Sequence, residues 1–427
     1  MRAHLLVLLA ACGGADTTPD AGPTPPTANA GREVVDTKLA FDVTAKTATA
    51  TITLGASDMP GATLEVGDLT IDSVQVAGAD LPYEVAMAKL NLGLPPSSET
   101  TTVDIAYHWV NHEGFTGASK DGYTLIWPYY CGNLFPCHSD PADGTTFSLS
   151  LTGVPADKVA VYPTTIAADA PSYQIAWSID SYTELPVGTT DAGTQISVYY
   201  RPGEETAAMN GSAHLVAAFD WMEKTLGPYR FGNKYSSVSV HWPQGAYGGM
   251  EHHPMSHIAS GALGDEETNV HEAAHGWFGD GIRIACWEDF VLSEGTVSYL
   301  AARALDVVAP AVGAQTWQAY ANELNAIRGI DPVWPQSCGV VDVINDDLFT
   351  NAPYMRGAFF YKAVADKYGA DKVDAALHAF FQAHGGGTGH MSEMIEALDS
   401  ATGGDVTACA QLWLEDMTDV PTPGPCP

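Results

Sequence analysis

Val270-His271-Glu272-Ala273-Ala274-His275-Gly276-Trp277-Phe278-Gly279 is the stretch on which the reading of this chain turns, together with a glutamate further on at Glu294. On a helix, residues four apart lie about one turn from each other on the same face, so the imidazoles of His271 and His275 reach a single cation. Glu272 is offset by roughly 100° around that helix, where its carboxylate addresses a water on the cation without being a ligand. Two histidines leave a tetrahedral ion short of a donor. Leu292-Ser293-Glu294-Gly295 supplies one after a gap of eighteen residues, which suits a turn and a second helix. Two histidines and a carboxylate with one open position is the composition of a catalytic zinc site, whereas structural zinc usually closes with four cysteine-rich ligands. One zinc ion per chain is therefore expected. A bare H-E-x-x-H arises by chance on helices, and the spaced Glu294 is what raises this one above that background.

The chain has 427 residues, too many for one ordinary core, and its 46% hydrophobic content is that of a globular protein. Lys and Arg number 18 against 51 Asp and Glu, a net charge of −33, which argues against nucleic acid or an anionic lipid surface as a partner. The start, Met1-Arg2-Ala3-His4 followed by Leu5 to Ala11, is a basic residue and a short apolar run, too short to span a membrane and similar to an export signal. Leu9-Ala10-Ala11-Cys12 resembles the bacterial lipoprotein box, with Cys12 as the lipid-bearing first residue; the alternative is an ordinary signal with an incidental cysteine. Residues 13–31 hold prolines and no apolar period and are expected to be a disordered tether. An exported envelope lipoprotein or a secreted protein follows, meeting a membrane only through a lipid anchor. Six cysteines remain, an even number with fifteen possible connectivities. Proximity favours Cys131 with Cys137 and Cys409 with Cys426, leaving Cys286 with Cys338.

From residue 32 to 203 the text is strand-like. Lys38 to Val43, Ala48 to Leu54, Thr102 to Tyr107, Phe147 to Leu151 and Gln195 to Tyr200 alternate with period two between Gly, Pro, Asp and Asn, as an antiparallel β domain does. Residues 204–427 change period: Glu205 to Leu226 has helical spacing closed by Gly227-Pro228, a strand follows at Ser236 to Val240, and helical text returns at Ala358 to Tyr368, Lys372 to His384 and Ala408 to Glu415. The expected class is α+β, a β domain followed by a mixed α/β and helical catalytic domain. A monomer is expected.

His271 to Asp280 resembles the zinc helix of the aminopeptidases typified by aminopeptidase N and leukotriene-A-four hydrolase, the gluzincin type. Trp287 to Gly295 is similar to that family's W-x-D-x-W-L-N-E-G, Gly248-Gly249-Met250-Glu251-His252 to its G-x-M-E-N, and Tyr354-Met355-Arg356-Gly357 to its Y-x-K-G. Leu134 to Pro141 resembles the F-P-C-x-D-x-P segment of its β domain, and Gln411-Leu412-Trp413-Leu414 its Q-W-L. The chain stops shortly after that segment, so the family's large C-terminal helical domain is expected to have no counterpart and the cleft to be open to longer peptides.

The resemblance implies that the catalytic domain is of the thermolysin type and that the chain is an aminopeptidase acting on peptides with a free N-terminus. His271, His275 and Glu294 are the implied zinc ligands and Glu272 the general base. Tyr354 is implied as the donor to the carbonyl oxygen, and Glu251 as the carboxylate that takes the substrate ammonium. Gly248, Gly249 and Met250 are the strand beside which the substrate runs. Alternatives are an endopeptidase or narrow-specificity aminopeptidase on the same site, or an inactive peptide-binding relative. His252 stands where the family has asparagine and Arg356 where it has lysine. Leu125 to Tyr130 lacks the Gln or Glu that the family places there, so amine recognition rests on Glu251, and Tyr129 or Tyr130 is expected to line the first pocket. His252, His253 and His257 read as a surface loop, His108 and His112 as structural or solvent-facing, and Asp289 as a candidate partner for a zinc ligand.

Overall fold

Alternation decides the first half: along Val34–Asp42, Leu39 and Phe41 turn inward while their neighbours face out, and Ile52, Val103, Ile105 and Phe147 on the flanking strands meet them. The computed structural model describes residues 24–126, 129–242, 247–327, 333–342, 350–416 and 426–427. Cys12 and the leader lie outside them, as do Trp127 and Pro128. The main sheet of the N-terminal half has seven strands in the order 165–170, 145–152, 34–42, 47–54, 101–108, 70–76, 79–80. It is antiparallel except where Val34–Asp42 runs parallel to Thr145–Thr152. His108 ends one of its strands beside Asp72, and His112 lies in a separate three-stranded sheet beside Asp68.

Two boundaries differ from those expected. Residues 24–31 are not free tether: Asn29 is buried, its backbone N–H donates to Thr63 Oγ1 at 2.9 Å, and its side chain donates to Ser57 Oγ at 3.2 Å. The division near residue 203 moves upstream, because Thr183–Thr189 and Gln195–Tyr200 join the sheet of the second half. That five-stranded sheet runs 183–189, 195–200, 234–240, 255–259, 249–250, with parallel pairing among its three central strands.

The helical stretch at 205–226 is two helices, α1 (Glu205–Gly211) and α2 (Leu215–Thr225). Gly211 ends α1 packed so closely on the Leu263 backbone that a side chain there would meet its carbonyl oxygen at 2.0 Å. Then follow α3 (Glu266–Ala274), α4 (Phe290–Val308), α5 (Pro310–Ala326), α6 (Asn351–Tyr368), α7 (Ala370–His384), α8 (Met391–Thr402) and a short turn at Thr407–Ala410 continued by the π-helical Gln411–Glu415. Three disulfides, Cys131–Cys137, Cys286–Cys338 and Cys409–Cys426, have the pairing that proximity favoured. No helix among the described residues is long and apolar enough to cross a membrane.

The halves meet behind the histidine motif. Gln174 Nε2 donates to the His253 carbonyl at 2.8 Å, Tyr173 Oη donates to Asp280 Oδ1 at 3.3 Å, and Arg283 donates to the carbonyls of Ala142 and Asp169.

Candidate metal centre

α3 opens with Glu266 and Glu267 in its first turn, where carboxylates complement the positive helix end. It presents His271, and His275 at its C-terminal cap, with ring centroids 5.1 Å apart. α4 brings Glu294, whose Oε2 stands 3.2 Å from His271 Nε2 and 3.4 Å from His275 Nε2. His275 Nδ1 lies 3.1 Å from the Phe278 carbonyl; donating there leaves the Nε2 lone pair for a cation. Donor atoms of all three residues lie within 4.8 Å of one another, a spacing that one ion at roughly 2.0–2.2 Å from each spans. Two imidazoles and one carboxylate, all buried, fit zinc with a position left open. Burial opposes these charges, yet the histidines hold the Glu294 carboxyl below its ordinary value, and Glu294 raises both histidines.

Glu272 points from the same helix toward the strand Gly249–Met250. An added Cβ at Gly249 would lie 2.3 Å from Glu272 Oε1, so the glycine leaves the room that the carboxylate occupies. Glu272 Oε2 is buried without a hydrogen-bond partner. Glu251 stands beside it, since carboxylate oxygens of Glu251 and Glu272 and a nitrogen of His275 also lie within 4.8 Å of one another. Burial raises both carboxyls against the pull of His275; Glu294 adds to the rise at Glu251, and Glu251 and Glu294 add to that at Glu272. Gly249–Met250 is the outer strand of its sheet, paired on one side with Ile258 and His257. The ring of Tyr354 stacks on that of His271, centroids 6.0 Å apart and 18° from parallel. Burial, then the carboxylates of Glu294, Glu251 and Glu272, push the phenol well above its ordinary pKa and keep it a donor.

A cavity of about 470 Å³ joins these residues. Its walls carry five glutamates, Glu251, Glu267, Glu272, Glu294 and Glu323, and no lysine or arginine among the described lining residues. Gly248, Gly249, Met250 and Tyr354 also line it. Tyr129 and Tyr130 are absent from the described lining; Tyr129 packs on Trp287 at 5.8 Å, and Tyr247 is in the wall instead.

Two further readings are corrected. His252, His253 and His257 are not a surface loop: each is at most 1% exposed, and burial drives all three well below the ordinary histidine pKa. His253 is a brace, Nδ1 2.8 Å from Tyr229 Oη and Nε2 2.8 Å from the Glu272 carbonyl oxygen. Asp289 touches no zinc ligand; it accepts from the Met391 N–H at 2.9 Å and faces His390 Nδ1 at 2.7 Å, holding the start of α8. Arg356 faces away from the cavity and donates to the carbonyls of Trp413 and Asp416, at 2.6 and 2.7 Å. The motif reading missed Glu267, Ser298, Tyr320, Glu323 and Asn351 in the wall. Only Glu267 carried a signal, four residues before His271.

Residues 212–413 match the model of the Peptidase family M1 domain. The chain is 25% identical over 332 residues to "Leucine aminopeptidase 2" of Ajellomyces capsulatus, covering 70% of this chain and 51% of that protein. It spans about half the length of the first curated relatives it matches. The M1 zinc metallopeptidase from Deinococcus radiodurans has the same fold, with TM-score 0.78, 19% identity and coverage of 92% of this chain and 96% of the other. Native yeast LTA4 hydrolase gives 0.73 at 17% identity, over 90% of this chain and 67% of its own.

Proposed function

We propose that this chain, whose residues 212–413 match the Peptidase family M1 domain, is a zinc aminopeptidase that removes N-terminal residues from peptides with a free amino terminus. The observation that carries this reading is Glu251 standing within 4.8 Å of the base Glu272 and the ligand His275. A substrate ammonium on Glu251 brings only the first peptide bond over the metal centre.

His271, His275 and Glu294 would hold a zinc ion, which when bound would supply Lewis acidity to a water and to the scissile carbonyl near neutral pH. Glu272 takes a proton from the attacking water and delivers it to the leaving amine as the C–N bond breaks. Tyr354 donates its hydroxyl hydrogen to the carbonyl oxygen as negative charge develops there. The outer strand at Gly248 and Gly249 offers backbone groups beside which an extended substrate aligns. Five cavity carboxylates, with no lysine or arginine among the described lining residues, favour a cationic ligand and disfavour an acidic one. Three disulfides support an exported protein, and the Leu9-Ala10-Ala11-Cys12 box supports Cys12 as its lipid-bearing residue.

The test is hydrolysis of amino-acid anilides and of paired free and N-acetylated peptides. Chelation abolishes cleavage and zinc restores it; Glu272→Gln lowers kcat by about 10²–10⁴-fold while zinc content stays at one per chain. Equal cleavage of acetylated and free peptides would replace this reading with an endopeptidase, and metal-bound protein without any hydrolysis with a peptide-binding module.

A further inference from the structure

The two histidine ligands are held from behind by different groups. His275 Nδ1 faces the backbone carbonyl of Phe278 at 3.1 Å. His271 Nδ1 faces a side chain, Glu267 Oε1, at 3.7 Å. Glu267 precedes His271 by four residues on α3, so helix geometry sets its carboxylate one turn away on the same face. The same Oε1 accepts a hydrogen bond from the hydroxyl of Tyr320 on α5, a residue only 5% exposed. A tyrosine, a carboxylate and an imidazole thus form one line that ends at His271 Nε2, the nitrogen that faces Glu294.

We propose that Glu267 is a positioning residue for the metal centre: fixed by Tyr320, it accepts the Nδ1 proton of His271, sets the tautomer and rotation of that ring, and strengthens Nε2 as a zinc donor. The proposal rests on the zinc reading given above. The separation of 3.7 Å is just beyond hydrogen-bond range, and a few tenths of an ångström in either side chain closes it. A carboxylate behind an imidazole ligand makes the imidazole more basic, and removing such a partner typically weakens metal binding about 10–100-fold. Glu267 also lines the cavity, so its carboxylate has a second use open to it, binding a cationic part of the substrate. That use would change KM for charged substrates and leave zinc affinity alone, which separates the two.

The experiment measures zinc affinity of the full chain by competition with a chromophoric chelator, together with the visible spectrum of the cobalt(II)-substituted protein. Glu267→Ala is expected to weaken zinc binding about 10–100-fold and to shift the cobalt bands. Glu267→Gln keeps an acceptor oxygen and is expected to recover most of the affinity; Tyr320→Phe, which frees the carboxylate, is expected to lose several-fold. Circular dichroism shows whether Glu267→Ala is folded, and Tyr320→Phe with Glu267→Gln carries the test if it is not. Zinc affinity within twofold of the unmodified protein in a folded Glu267→Ala, or in Tyr320→Phe where the alanine variant does not fold, overturns the proposal. An unmodified protein that binds no zinc overturns the metal reading itself and is recognised before any variant is made.

Discussion

At Gly249 a single methyl group is enough to displace the proposed general base. The added Cβ would sit 2.3 Å from Glu272 Oε1, the end of a side chain that can swing away, so the disturbance is to its position more than to the fold. Gly249→Ala is expected to lower kcat/KM by about 10²-fold, the lower end of what a misplaced acid–base group costs. Zinc content and melting temperature should stay near those of the unmodified protein; loss of metal in this variant would mean that the glycine serves the ligands instead. Tyr354 makes a complementary case, because its hydroxyl is assigned to the transition state alone. Tyr354→Phe is expected to cut kcat by roughly 10²–10³ with KM little changed, checked by steady-state kinetics on an anilide substrate. These residues were legible in the sequence because they fall in short motifs whose spacing is fixed by one turn of helix. The brace at His253 and the tie from Tyr320 to Glu267 were not, since their partners lie on other elements.

Elements approach one another here through glycine. α4 and α6 cross at Gly295 and Gly357, where a Cβ on the second would come 2.5 Å from the Cα of the first. Gly295 follows Glu294 directly and Gly357 is three residues past Tyr354, so this close crossing sets how far the third ligand stands from the tyrosine. Gly357→Ala meets backbone instead of a flexible side chain, and overpacking of this kind costs about 1–3 kcal/mol. It should lower both stability in urea and kcat; an unchanged melting curve would mean the helices part freely. Arg356 ties the other side of α6 to the Trp413 and Asp416 carbonyls. Arg356→Ala leaves buried carbonyls without donors, for an expected loss of about 3 kcal/mol with the zinc affinity of the folded fraction retained. The helices themselves could be read from their 3.6-residue period. Where one domain ends could not, because Thr183–Thr189 and Gln195–Tyr200 alternate like any strand and pairing with Lys234–Val240 is a choice made far along the chain.

At the scale of the whole molecule, the net charge of −33 and the five glutamates of one cavity act in the same direction. A peptide with a free amino terminus is drawn toward such a surface, and a low-dielectric cleft focuses that field. Exposed charges are screened beyond about 10 Å at 0.1 M salt, so the long-range part of this attraction disappears as salt is added while contacts inside the cavity persist. The response must then depend on substrate charge. For a peptide with lysine at its second position, kcat/KM is expected to fall by about tenfold between roughly 0.01 and 0.5 M sodium chloride. For the same peptide with glutamate there, repulsion is screened along with attraction, so kcat/KM should stay level or rise. kcat should move little in either case, because saturated enzyme no longer waits on encounter. Parallel salt curves for the two peptides would show that the acidity of this protein serves solubility alone and has no part in selecting what reaches the metal centre.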